Sequence, residues 1–93
     1  MKKTKIKNLE QMMSYCQKHM RFVSTTEDFN GHEGGIWLCA EDNDVYGGKE
    51  IYNYYAESKS YELGILNKWE ERINSYGWFS EWYDCGTMML YKL

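Results

Sequence analysis

The closing stretch GWFSEWYDCGTMMLYKL, residues 77 to 93, constrains the fold more than any other part of the chain. Two runs in it, WFSEWYD and TMMLYK, alternate large apolar side chains with smaller or polar ones, and only Cys85 and Gly86 separate them. Alternation with period two is the pattern of a strand with one buried face. Two such runs around a two-residue break predict a hairpin. A tight turn there pairs Asp84 with Thr87, Tyr83 with Met88 and Trp82 with Met89. It puts Trp78, Trp82, Met89 and Tyr91 on one thick apolar face, which helices must cover.

The covering helices are visible in the apolar spacing. Ile6, Leu9, Met13, Cys16 and Met20 recur at steps of three and four, one face of an amphipathic helix. Asn8 and Gln11 have capping-box spacing, so this helix starts near Leu9. It ends near His19 or Met20. Leu66, Trp69, Ile73 and Tyr76 predict a second helix, closed by a left-handed Gly77. Glu70, Glu71 and Arg72 lie off its stripe and are expected in water.

RFVSTT and GIWLCAE read as strands, the second with Ile36, Leu38 and Ala40 on one side. KEIYNYYAE reads as a third strand, with a short helix as its alternative. EDFNGHEGG and DNDVYGG read as loops. The result is an α+β fold: a small antiparallel sheet of four or five strands, two helices on one face, in the order α-β-β-(β)-α-β-β. Ninety-three residues suit a single domain, residues 1–93, with a modest core and a flexible basic N-terminus over residues 1–7.

No run approaches the roughly 20 apolar residues of a membrane span. The basic start MKKTKIKNLEQMM has no apolar run behind it, unlike a secretory signal. Three widely spaced cysteines point to a reduced, cytoplasmic setting. The net charge of −3 conceals a division: residues 1–21 carry +5 and residues 22–93 carry −8. Such an imbalance bears on partners rather than on fold.

Motifs for chemistry fail on their spacing. Cys16 and His19 share a helix face, but a structural zinc needs two further ligands, and Cys39, Cys85 and His32 are distant and unpaired. Cys16 is better read as a buried thiol. Asp42, Asp44 and Gly47 begin a calcium-loop pattern that Tyr46 and Asn53 break. GGKE at 47–50 lacks both the earlier glycine and the following Ser or Thr of a phosphate loop. His32 sits in the glycine-rich loop NGHEGG, where nothing holds a catalytic base in place. The expectation is a non-enzyme with no cofactor and no metal.

Five tyrosines, Tyr46, Tyr52, Tyr54, Tyr55 and Tyr61, cluster among acids. A half-wet sheet face and a partner interface account for them equally. Tyrosine supplies rigid contact area at low entropic cost. As an interface, the residues are Glu41, Asp42, Asp44, Tyr46, Glu50, Tyr52, Tyr54 and Glu57, and the partner such a surface fits is a basic, nucleic-acid-binding protein. The alternative is direct nucleic-acid binding through Lys2, Lys3, Lys5 and Lys7. An exposed KEIYNYY edge leaves monomer and homodimer both open.

The lysine- and asparagine-rich start, the small α+β body and the closing GWFSEWYDCGT together resemble small accessory proteins of phages and mobile elements of low-GC bacteria. Some proteins of that kind inhibit host defence nucleases, as anti-CRISPR proteins do. The resemblance implies a cytoplasmic inhibitor acting in a bacterial host cell.

Overall fold

The computed structural model describes residues 5–93. Its elements run α1 (Leu9–Gln17), β1 (Val23–Thr25), α2 (Thr26–Asn30), β2 (Ile36–Cys39), β3 (Val45–Tyr46), β4 (Lys49–Glu50), β5 (Tyr61–Glu62), β6 (Ile65–Leu66), α3 (Asn67–Ser75), β7 (Trp78–Asp84) and β8 (Thr87–Lys92). The fold is α+β. Four strands form one antiparallel sheet in the order β1-β2-β8-β7, so the last strand is central. Two further pairs, β3–β4 and β5–β6, stand outside it as separate hairpins.

α1 and α3 supply the core-facing side chains Met12, Cys16, Trp69 and Ile73 against Ile36, Leu38, Trp78, Met88 and Leu90 of the sheet. Each fully buried aliphatic or methionine here is worth about 1.5–3 kcal/mol relative to exposure. α1 starts where Asn8 Oδ1 accepts hydrogen bonds from the amides of Glu10 (2.8 Å) and Gln11 (3.2 Å). It ends at Gln17, short of His19, and Met20 still reaches the core from the following turn. α3 stops at Ser75, and Gly77 follows with φ +96°.

The hairpin register differs from expectation by one residue. Asp84 does face Thr87, but Trp82 faces Met88 and Glu81 faces Met89, with a bulge between Trp82 and Asp84. The turn explains it. Neither Cys85 nor Gly86 has the positive φ of a primed hairpin turn, whose twist matches the strands. The extra residue Tyr83 absorbs the mismatch. The faces therefore regroup: Met88 and Leu90 join Trp78 and Trp82 in the core, while Met89 and Tyr91 move to the opposite face with Phe79 and Trp37.

That opposite face has its own cover, which the loop reading of EDFNGHEGG missed. α2 places Phe29 against Trp37 (ring centroids 4.7 Å) and Tyr83 (4.8 Å). Thr25 caps it by accepting from the Asp28 amide at 3.1 Å. So the helices lie on both faces.

KEIYNYYAE is not a third strand of the sheet. Ile51 and Tyr52 are consecutive and both buried, which no single strand face permits. The chain bends at Ile51. Its amide donates to Asp44 O (2.8 Å) and its carbonyl accepts from Leu66 N (2.9 Å), joining the two small hairpins. The edge strands of the sheet are instead β1 and β7, of which β7 lies beside α3. The outward groups of β7 are covered by α3: Glu70 Oε2 accepts from Ser80 N at 3.0 Å, and Asn74 Nδ2 donates to Trp78 O at 2.8 Å. Glu70 is thus half-buried, not in water as its position off the stripe suggested.

Residues 1–7 were expected to be flexible. Within the described part, Ile6 is tied to the body: its amide donates to Tyr76 O (2.9 Å) and its carbonyl accepts from Trp78 Nε1 (2.6 Å). Among the described residues no helix is long and apolar enough to cross a membrane.

Candidate functional site

Two regions flank the N-terminal half of α3. One is the β5–β6 hairpin with the Tyr54–Tyr55 loop, and the other is the β3–β4 hairpin with its lysines.

Glu62 and Ile65 close a two-residue turn at Leu63 and Gly64, with φ +52° and +75°. Two positive φ values are the signature of a type I′ turn, which favours Asn or Gly at the first position. Leucine there is a strained choice, and this leucine is 82 % exposed. Gly64 lets the preceding loop approach. A Cβ on it would stand 2.7 Å from Asn53 O and 2.9 Å from Tyr54 Cα. Asn53 N donates to Gly64 O at 2.8 Å, and Asn53 Oδ1 accepts from Tyr55 N at 3.1 Å. The loop is therefore fixed on the hairpin.

Trp82 stitches this hairpin to β7 by donating Nε1–H to Leu63 O at 2.7 Å. Tyr54 packs edge-on against Trp82 (5.1 Å) and Tyr55 (5.3 Å). Tyr54 and Tyr55 are 50 % and 78 % exposed. The segments carrying this patch also expose Glu57 and Glu62, and Glu41, after β2, is exposed beside it. A groove of about 280 Å³ beside it is lined by Glu41, Asn43, Glu50, Tyr54, Tyr55 and Cys85 among others.

The structure does not place the eight residues expected to bind a partner on one surface. Glu41, Glu50, Tyr54 and an edge of the otherwise buried Tyr52 line this groove, and Glu57 is exposed in the same loop. Tyr52 belongs to the core. Its hydroxyl accepts from Trp69 Nε1 at 2.8 Å and lies 3.0 Å from Ser80 Oγ. Burial drives its ionisation well above the ordinary tyrosine value. Asp44 is committed internally: it pairs with Arg21 Nε at 3.1 Å and its side chain is only 10 % exposed. Asp42 accepts from the same guanidinium through its backbone oxygen.

Tyr46 lies on the far side of α3. Its ring meets His19 and Trp69 edge-on, and its hydroxyl accepts from Arg72 Nε at 3.3 Å. Trp69 also stacks on Tyr15 at 5.8 Å. Burial lowers the pKa of His19, and neighbouring Lys18 adds to the effect.

Of the four N-terminal lysines, Lys5 and Lys7 are exposed, and Lys2 and Lys3 lie outside the described residues. Cys16 is buried and its thiol is pushed up to about 12 by desolvation. Among the described residues no three His, Cys, Asp or Glu side chains gather as a metal site.

The candidate-site residues absent from the expected set are Leu63, Tyr55 and Trp82. A signal existed for the first: Leu-Gly sits between the short runs YE and IL, a two-residue break like those that make hairpins. Compared with known proteins, the chain matches no family model, no curated protein and no solved structure.

Proposed function

We propose that this chain is a non-enzymatic protein-binding module that docks a basic partner through the patch of Tyr54, Tyr55 and Leu63. The observation carrying this reading is Leu63. It holds a backbone conformation that costs roughly 1–2 kcal/mol for an L-residue, yet buries almost nothing within the chain. The fold uses the Leu63 carbonyl, which Trp82 holds, but gains almost nothing from its exposed side chain, which is available to a partner. Rigid aromatic anchors beside it, with an acidic surround, suit a basic protein surface: charge steers the encounter and the tyrosines supply contact. The narrower reading, an inhibitor of a nucleic-acid-processing or defence protein in a bacterial host, rests on the same complementarity. Such proteins present basic surfaces for their substrates.

The test compares wild type with Leu63→Asn as tagged bait in nuclease-treated bacterial lysate, at low and high salt. Asn relieves the turn, so the variant should gain about 0.5–1 kcal/mol in denaturant unfolding. It should also lose a discrete basic protein that wild type retains at low salt. Equal capture by a stabilised variant would remove the patch from the interface.

A second reading has its own support. Because Ile6 is fastened between Tyr76 and Trp78, Lys5 and Lys7 are presented from the body itself. Recovery of nucleic acid, lost on nuclease treatment and on neutralising Lys2, Lys3, Lys5 and Lys7, would favour that reading.

A further inference from the structure

The segment that reads as acidic in the sequence contributes a basic pocket in the fold. A cavity of about 440 Å³ opens between the β3–β4 turn, the loop before β5 and the first turn of α3. Its walls include Lys49, Lys59 and Lys68, with Ser60, Tyr46 and a single acid, Glu71. The three lysines come from three separate segments. Lys49 is on β4, Lys59 precedes β5, and Lys68 is on α3.

The walls are braced. Lys49 Nζ donates to Ser60 Oγ at 3.0 Å. Asn67 donates its amide to Ser60 O (2.8 Å) and its Nδ2 to Lys59 O (2.9 Å). Tyr46 is held from behind by Trp69 and His19. Among the described residues the only ion pair is Arg21 with Asp44, so none of the three lysines is in direct contact with a carboxylate. Three cationic side chains against one acid around a single cavity favour an anion there. A second concavity of about 360 Å³ adjoins through Tyr46, Lys68 and Glu71 and adds Arg72.

We infer that this pocket binds a small phosphorylated ligand of nucleotide size. The three ammonium groups and the Ser60 hydroxyl are donors suited to phosphate oxygens. The volume exceeds what inorganic phosphate fills, and the Tyr46 ring offers a planar, apolar wall to the remainder. A long polyanion fits poorly. Glu71 stands at the pocket wall, and the chain on either side of Lys59 carries the exposed Glu57 and Glu62, so like charge opposes phosphates running on from it.

The test is calorimetric titration of the whole chain with ADP, adenosine, inorganic phosphate and a short oligothymidylate. ADP should bind, adenosine should not, and phosphate should bind more weakly than ADP. Lys59→Ala with Lys68→Ala should weaken ADP at least about tenfold, since two charge-assisted contacts go. Lys92→Ala, on β8, should leave ADP binding unchanged. Both lysines are exposed, and an unaltered thermal melt would show that the double variant is folded. No ADP binding at millimolar concentration would overturn the inference, and so would ADP binding insensitive to the double variant. Phosphate binding as tightly as ADP would overturn the nucleotide-sized ligand. Tighter binding of the oligothymidylate would overturn the small one.

Discussion

The turns of the two short hairpins beside α3 share a plan and differ in one residue. Both turn over two residues with positive φ: Gly47 and Gly48 at +62° and +84°, Leu63 and Gly64 at +52° and +75°. The β3–β4 turn uses glycine at both positions and meets open space, since a Cβ on either would touch nothing within 4 Å. It is a relaxed connection. The β5–β6 turn spends its one glycine on a close approach and puts a leucine where glycine or asparagine relaxes the chain. The comparison teaches how to separate fold from function at the level of a turn. Where backbone strain is relieved, the turn only connects. Where strain is kept and the strained side chain faces solvent, stability alone does not account for the choice.

The largest expected effect breaks the two turns apart. Gly64→Ala drives a methyl into Asn53 O and Tyr54 Cα, backbone atoms that cannot swing away. It should cost about 3 kcal/mol or more in urea unfolding, from overpacking and positive φ together. Gly48→Ala suffers only the positive φ and should cost about 1–2 kcal/mol. Equal losses would mean that the close approach at Gly64 is not what fastens the tyrosine loop.

The second effect compares the anchors behind each hairpin. Tyr52, beside β6, accepts from the buried Trp69 Nε1. Tyr52→Phe leaves that donor without its acceptor and should destabilise by about 1–3 kcal/mol. Tyr46, on β3, bonds the exposed Arg72 through its hydroxyl, at a long 3.3 Å. Tyr46→Phe should change stability by no more than about 0.5 kcal/mol. Differential scanning calorimetry of the two variants reads the contrast. A Tyr52→Phe melt matching that of Tyr46→Phe would put the Trp69 indole in contact with water rather than in a sealed core.

These contrasts also show what was legible in the sequence. The stripes of α1 and α3 and the alternation of β2, β7 and β8 could be read because one periodic face of each is buried. α2 could not, because five residues are too few for a period; its signal was the Thr25 cap three residues before Asp28. The register slipped because alternation says which residues share a face but not where a bulge falls. Tyr83 carries no mark of being the extra residue.

The site was harder for a different reason: charge is local in sequence and pairwise in space. Asp44 looked like a free acid until Arg21, 23 residues earlier, closed on it. Lys49 and Lys59 looked outnumbered by acids until Lys68 joined them across one cavity. Tyr52 and Tyr54 are two residues apart on what reads as one strand face. The bend at Ile51 sends the first into the core, and the second stays on the surface.

The smallest effect belongs to the β3–β4 side alone and comes from His19. Its ring is held among Tyr15, Tyr46 and Trp69, with Lys18 as the neighbouring charge. Desolvation and Lys18 both disfavour the imidazolium, so the folded pKa lies below the ordinary 6.5. Between that lowered value and 6.5 the unfolded chain binds more protons than the folded one. Stability therefore rises with pH across this window and is lost as pH falls through it. Below the folded value both states are protonated and no further loss accrues from this group. The thermal midpoint of wild type should drop further between pH 7 and pH 5 than that of His19→Gln. Carboxylates titrate in both proteins, so the difference between the two curves isolates the histidine. A difference that stays constant across this range would place His19 in water, away from the aromatic cluster, and with it would go the rigid backing of Tyr46 on this side of α3.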